Sequence, residues 1–233
     1  MARRFDKYDR LGAYHWLECD PSSSQYNPPL VARYQLIAAR VKGGRVLDLG
    51  CGDGYLLDKI ARKSEWSTGV DCDAMGTAIA AGRLAGRPNC AVIRSTVEEL
   101  PFRSTAFDAV VMSDVIEHLE KPEIALGEVA RVLKPGGELL LTTPKWRADR
   151  RWDRCHVKEF TPQALRDLLS EYFSSVTLRY FWPLRWSNWY ATRVGWKLIK
   201  TYSRLIANPF LQEGDDPAHY GQILAIGRIA QVE

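Results

Sequence analysis

Asp48, Gly50, Gly52 and Gly54 alternate through the stretch Val46-Leu47-Asp48-Leu49-Gly50-Cys51-Gly52-Asp53-Gly54-Tyr55-Leu56-Leu57. Glycines at this spacing let the backbone take positive φ and let a ligand lie against bare main chain, and a helix start behind them offers unpaired N–H groups to an anion. The chemistry predicted is capture of a ligand that carries a carboxylate or a phosphate. A dinucleotide fingerprint needs glycines at the first, third and sixth positions of the turn. Counting from Gly50, the sixth position is Tyr55, which argues against NAD. Asp71 stands about where such folds place the acid that accepts from two adjacent ribose hydroxyls. Of the four histidines, His15, His118, His156 and His219, two lie in stretches near the same rim. His118 and His156 are therefore the candidate general bases for a hydroxyl acceptor, with Asp114 or Tyr14 as helpers.

These residues need strands and helices to hold them. Val46 to Leu49 reads as a buried parallel strand after the Gly43-Gly44 turn, and Tyr55 to Ile60 reads as a helix. Upstream, Pro28-Pro29 opens a helix whose Leu30, Tyr34, Ile37 and Val41 face the sheet. Downstream, strands are expected at Trp66 to Asp71, Cys90 to Arg94, Phe107 to Met112, Glu138 to Thr143, Ser175 to Tyr180 and Gly221 to Ile229, with helices at Ala74 to Leu84 and Pro122 to Leu133. Strands that alternate with helices predict a doubly wound α/β fold, here seven-stranded and mostly parallel, with ligands beyond the carboxyl ends of the strands. That places Gly52, Asp71, Thr96, Ser113 and Pro144 along one rim.

The pattern acid-x-Gly-x-Gly-x-Gly resembles the first motif of the class I S-adenosylmethionine-dependent methyltransferases. The resemblance continues through Glu98-Glu99-Leu100-Pro101-Phe102, Val115-Ile116-Glu117-His118-Leu119 and His156-x-x-x-Phe160-Thr161-Pro162. It implies a Rossmann-like methyltransferase fold and S-adenosylmethionine as cofactor, with S-adenosylhomocysteine as product. It further implies that Gly50, Cys51, Gly52 and Gly54 hold the methionine end, that Asp48 anchors the amino group, and that Asp71 takes the ribose, with Cys72 bordering the adenine. Thr96 stands where the family commonly has an aspartate on the adenine amino group; its hydroxyl still accepts a hydrogen bond, supported by the backbone of Val97. Asp114, Glu117, His118 and His156 also resemble a divalent-metal set of small-RNA and quinone O-methyltransferases. The same Val-Ile-Glu-His-Leu stretch resembles metal-free members as well, and no metal is assigned.

The acceptor side reads less sharply. Residues 145–158 hold Lys145, Arg147, Arg150, Arg151, Arg154 and Lys158 against Asp149 and Asp153, which suits an acceptor with carboxylate or phosphate or a merely solvated loop. From Tyr172 through Gln212 there is no acidic residue. Trp186, Tyr190, Val194, Leu198, Tyr202 and Leu205 step at helical spacing beside Arg193, Lys197, Lys200 and Arg204, predicting one amphipathic helix with an aromatic and a basic face. Its aromatic face can cover the acceptor pocket or a partner, or lie on an anionic membrane over about 182–206; nucleic acid ranks last. The resemblance implies a lid for residues 1–27, where Phe5, Tyr8, Tyr14, His15 and Trp16 stand; the alternative is a segment packed onto the domain.

With 233 residues, 46% hydrophobic and 26% charged, the chain suits one domain with one well-buried core. The expected division is a lid (1–27), a cofactor-binding core (28–180), a helical insertion (181–216) and a final strand (217–233). Five cysteines without CxxC spacing argue against a disulfide framework and a zinc ribbon. With no apolar leader after Met1, a cytoplasmic or membrane-peripheral enzyme is expected. The expected reaction is methyl transfer to the oxygen of a sugar, lipid-linked or secondary-metabolite acceptor. The rivals are a metal-assisted O-methyltransferase and a catalytically silent cofactor-binding module that docks a partner or membrane.

Overall fold

A computed structural model describes residues 7–149 and 152–231. Seven strands form one sheet in the order β3-β2-β1-β4-β5-β7-β6: β1 (Arg45–Leu49), β2 (Trp66–Asp71), β3 (Cys90–Arg94), β4 (Phe107–Ser113), β5 (Leu133–Pro144), β6 (Ser175–Pro183) and β7 (Tyr220–Arg228). The first five are parallel where they pair, and β7 runs antiparallel between β5 and β6. The doubly wound expectation therefore holds.

Side chains alternate across the strands, so successive residues enter opposite layers. Leu47, Val110, Met112, Leu139 and Leu141 join a core with α6 (Pro122–Val132) and α7 (Pro162–Ser170). Val46, Ala109, Val111 and Leu140 instead meet α3 (Pro28–Arg40) and α4 (Tyr55–Ala61). Leu30, Tyr34, Ile37 and Val41 are all buried there, as the helical spacing predicts. A sheet clad on both faces leaves its carboxyl rim as the place for ligands, and the strand order reverses between β1 and β4.

Residues 116–118 make a single 3₁₀ turn, and α6 starts at Pro122 as expected, where the proline ring suits the first turn. Two expectations are corrected. The fifth strand begins at Leu133 rather than Glu138, because Leu133 already pairs with Phe107 before a register shift. The aromatic-basic stretch is two helices, α8 (Leu184–Tyr190) and α9 (Gly195–Leu205), preceded by a longer β6. Thr192 breaks the run: its Oγ1 accepts the Gly195 N–H at 3.0 Å, and at Gly195 the chain passes so close to the Trp189 carbonyl that no Cβ fits. Phase is lost there. Trp186 and Tyr190 pack inward beside Phe210, while Leu198, Tyr202 and Leu205 stay exposed.

Candidate active site

The glycine turn leaves β1 with Gly50, Gly52 and Gly54 at φ +71°, +53° and +80°. A single strap shapes it: the N–H groups of Gly50 and Cys51 both donate to the Val70 carbonyl, at 2.8 and 3.1 Å. Asp71, at the end of β2, is fixed by its own neighbours, its carboxylate accepting from the N–H of Gly52 and of Asp73 at 2.8 Å each. Burial pushes the Asp71 carboxyl up from the ordinary range. Asp48 is buried behind the turn, its carboxyl pushed well up by burial and then by Asp71, and its Oδ2 has no hydrogen-bond partner among the described residues.

A buried acceptor without a partner costs free energy unless a donor arrives. The residues present therefore fit S-adenosylmethionine: glycine main chain at the turn, the orphaned Asp48 oxygen for its ammonium, and Asp71 for its ribose. Cys72 is exposed beyond Asp71, with its carbonyl accepting from Arg94 Nε. Thr96 is exposed in the loop after β3, whereas Val97 sinks its side chain into the main core. Ser113 ends β4 with its hydroxyl 3.4 Å from that of Thr142.

The histidine pair forms a second cluster. Glu117 is buried, and its carbonyl accepts from the N–H groups of Val157 and Lys158 at 2.8 and 3.2 Å, which draws the 152–158 loop toward the 3₁₀ turn. The rings of His118 and His156 consequently stand 5.0 Å apart. Ligand atoms of Glu117, His118 and His156 all lie within 4.8 Å of one another. His118 Nδ1 is held by the Cys155 carbonyl at 3.2 Å and His156 Nδ1 by Glu159 at 2.7 Å. In each ring Nδ1 is occupied by an orienting oxygen. Glu117 Oε2 accepts from Thr143 at 3.0 Å, but its buried Oε1 lacks a partner among the described residues. Burial, then repulsion from Asp114, pushes the Glu117 carboxyl well up. Burial pushes His118 down.

Asp114 is not among these three. It sits at φ +52°, bound by Arg33 Nη1 and by Thr142 Oγ1, the latter at 2.8 Å. Tyr14 also lies elsewhere, its ring 4.0 Å from that of His15 and 5.4 Å from that of Tyr8. Residues 7–18 form two short helices, α1 (Lys7–Leu11) and α2 (Tyr14–Glu18). Tyr8 is buried with its hydroxyl against Gly52 and its ring against Gly76.

Sequence reasoning placed Tyr8 in the candidate lid without its contact to Gly52, and missed Arg33, Asp53 and Glu159. Of these three only Asp53, inside the glycine stretch, offered a signal. In the basic loop Arg147 is tied to Asp149 at 2.7 Å and Lys145 donates to the Pro217 carbonyl, while Arg154 and Lys158 are exposed. Arg150, Arg151 and Phe5 lie outside the described residues.

Residues 47–141 match the sequence family described as a methyltransferase domain. A ubiquinone biosynthesis O-methyltransferase of Xanthomonas oryzae is 33% identical over 144 residues, 59% of this chain and 59% of that protein. A Mycolicibacterium smegmatis protein described as a probable S-adenosylmethionine-dependent methyltransferase is 34% identical over 141 residues, 58% of this chain and 54% of its own length. The chain thus aligns with rather over half the length of these relatives. Among solved structures, Haemonchus contortus phosphoethanolamine N-methyltransferase 2, in complex with S-adenosylmethionine, superposes with a TM-score of 0.66 at 17% identity, covering 97% of this chain and 60% of that one. The glycine turn, Asp71 and the strand order thus agree with the class I S-adenosylmethionine-dependent methyltransferases, whose methyltransferase domain residues 47–141 match.

Proposed function

We propose that this protein transfers the methyl group of S-adenosylmethionine to a hydroxyl oxygen of a sugar, lipid-linked or secondary-metabolite acceptor, with His118 as the general base. The observation that carries the reading is the orientation of His118: the Cys155 carbonyl fixes its Nδ1, so Nε2 is the atom left to take a proton. The cofactor, when bound, supplies an already activated methyl on a sulfonium. The protein then has to align the acceptor oxygen with it, and positioning supplies about 7–11 kcal/mol in such reactions. The name of the Xanthomonas relative supports oxygen as the accepting atom. The exposed cations of the 152–158 loop, Arg154 and Lys158, suit an acceptor with carboxylate or phosphate.

A second reading rests on the orphaned Glu117 Oε1. Glu117, His118 and His156 would hold a divalent cation, each imidazole oriented by an oxygen on its Nδ1 as metal-binding histidines are. Such an ion would acidify the acceptor hydroxyl.

Methyl-labelled cofactor offered with glycan, lipid, small-metabolite and RNA fractions tests both. Label in one of the first three, surviving a chelator and Glu117→Ala but lost in His118→Gln, supports the direct base. Loss on chelation with rescue by added metal supports the ion. Tight cofactor binding with no label in any fraction overturns catalysis and leaves a binding module.

A further inference from the structure

The α8–α9 hairpin leaves a large apolar face uncovered. Leu205 is 78% exposed, Ile206 72%, Val194 64% and Leu198 50%. Val194, Leu198, Tyr202 and Leu205 recur at steps of four, four and three, so they share one stripe, whereas Ile199 is turned inward against Ala32 and Phe210. Trp186, Trp189, Leu198, Tyr202 and Leu205 line a hollow of about 480 Å³ that opens on this side. A contiguous exposed patch of this kind marks an interaction surface.

Its chemistry selects the occupant. Residues 184–206 carry five cations, Arg185, Arg193, Lys197, Lys200 and Arg204, and no acid. On α9 the basic residues Lys197, Lys200 and Arg204 step by three and four along a separate face from the apolar stripe. Trp196 lies within cation–π reach of both Lys197 and Lys200, at 5.7 and 5.0 Å. A second copy docked face to face would bring the same five cations against these, with nothing in the segment to neutralise them. An anionic lipid surface offers both what the stripe lacks, apolar depth, and what the cations lack, counter-charge. With its 11 residues, α9 is about 16 Å long, too short for a hydrocarbon core of about 30 Å. No described helix is long and apolar enough to cross a membrane.

We infer that α8 and α9 dock this protein in the plane of an anionic membrane surface, with Val194, Leu198, Tyr202 and Leu205 sunk among the acyl chains and Arg193 and Lys197 at the headgroups. The hollow between the helices takes the ends of those chains. This geometry is that of an interfacial anchor, with an apolar face about 5–10 Å deep and cations reaching back to the phosphates.

Co-sedimentation of the full chain with phosphatidylglycerol vesicles tests the inference, with phosphatidylcholine vesicles as the uncharged control. The expected result is salt-sensitive binding to phosphatidylglycerol alone, together with a blue shift of tryptophan emission as Trp189 and Trp196 leave water. L198S/L205S is expected to weaken binding at least about tenfold by lost apolar burial. R193Q/K197Q is expected to weaken it roughly thirtyfold, from the loss of two headgroup cations. Lys200 and Arg204 are spared because they donate to the Ser24 and Ser23 carbonyls. An unchanged melting temperature and unchanged cofactor affinity show that the variants fold. No sedimentation, binding indifferent to both variants, or a solution dimer that L198S/L205S splits into monomers would each overturn the membrane assignment.

Discussion

Asp53 fastens His15 twice, accepting its backbone N–H at 2.9 Å and facing its ring Nδ1 at 3.1 Å, while the Asp53 carbonyl accepts from Trp16 Nε1 at 2.9 Å. Asp53, between Gly52 and Gly54, is thus a latch for α2, and it is fully buried. The segment that covers the turn is therefore tied to the turn itself.

Releasing the latch should loosen the cover and little else. In Asp53→Ala the His15 N–H and the ring lose their acceptor, at roughly 1–3 kcal/mol of local stability. Amide exchange over 8–18 is expected to accelerate, with β1 and β4 unchanged. Exchange at 8–18 as slow as in the wild type would show that aromatic packing alone holds these helices.

Gly52→Ala meets two obstacles at once. The residue sits at φ +53°, and a Cβ there would run into the Tyr8 hydroxyl. A loss of roughly 1–3 kcal/mol in stability and a marked fall in cofactor affinity are expected. In Gly52→Ala/Tyr8→Ala the clash is gone but the strain remains. The double variant should then cost less than the sum of the two single ones, a departure from additivity that urea melts of all four proteins measure.

Asp71 is held by two backbone N–H groups, one on each oxygen, and a carboxylate oxygen has a second lone pair for a further donor. Asp71→Asn replaces one acceptor by a donor facing a donor. Calorimetric affinity for S-adenosylhomocysteine should fall on the order of tenfold or more, the worth of a hydrogen bond to a charged group. An affinity within about twofold of the wild type would leave the ribose without its assigned partner.

His118 sets the pH dependence. Burial depresses its ionisation below the ordinary value near 6.5, outweighing the Cys155 carbonyl, which acts the other way, while His156 adds to the depression. The folded state therefore prefers the neutral ring. Its contribution to stability is complete above about 6.5 and is lost as pH falls, because the unfolded chain binds the proton first. For methyl transfer the base is competent at neutral pH, and kcat/KM should decline only on the acid side of about 6.5. In His118→Gln that acid limb should vanish along with most of the rate. A limb that survives the substitution would belong to another group.

The sheet and the cofactor rim were legible in the sequence for a physical reason. Buried parallel strands such as Phe107–Ser113 are largely apolar runs, and three positive-φ positions in one turn favour glycine over other residue types. Thr161 was legible too, since a cap is local: it accepts the Ala164 N–H at 3.1 Å. Tyr8 over Gly52 and Glu159 under His156 were not. The first depends on where the chain folds back over a partner 44 residues away, and the second on the shape of the irregular loop between His156 and Glu159, which no periodicity encodes. The single helix expected over 186–205 failed for a subtler reason. Its steps of four persist through Thr192-Arg193-Val194, but one threonine hydroxyl bonded to the Gly195 N–H ends the run.

Arg33 shows the same limit and carries the last prediction. It lies on α3 between the buried Ala32 and Tyr34, and its guanidinium crosses the site to pair with Asp114. The side chains are 13% and 14% exposed, so little water screens the pair. Thr142 Oγ1 also serves the Asp114 carboxylate, at 2.8 Å, and Gln222 Nε2 stands at 3.4 Å. Arg33→Leu removes the only full counter-charge among these contacts and leaves a buried carboxylate, a change that costs roughly 3–5 kcal/mol in comparable pairs. Arg33→Leu/Asp114→Asn removes the stranded charge as well and should recover a good part of that loss, because the penalty is the unpaired ion and not the missing bond. Urea melts of the single and double variants measure both. A single variant within about 0.5 kcal/mol of the wild type would mean that water reaches the pair and that Asp114 is free to serve as a proton acceptor.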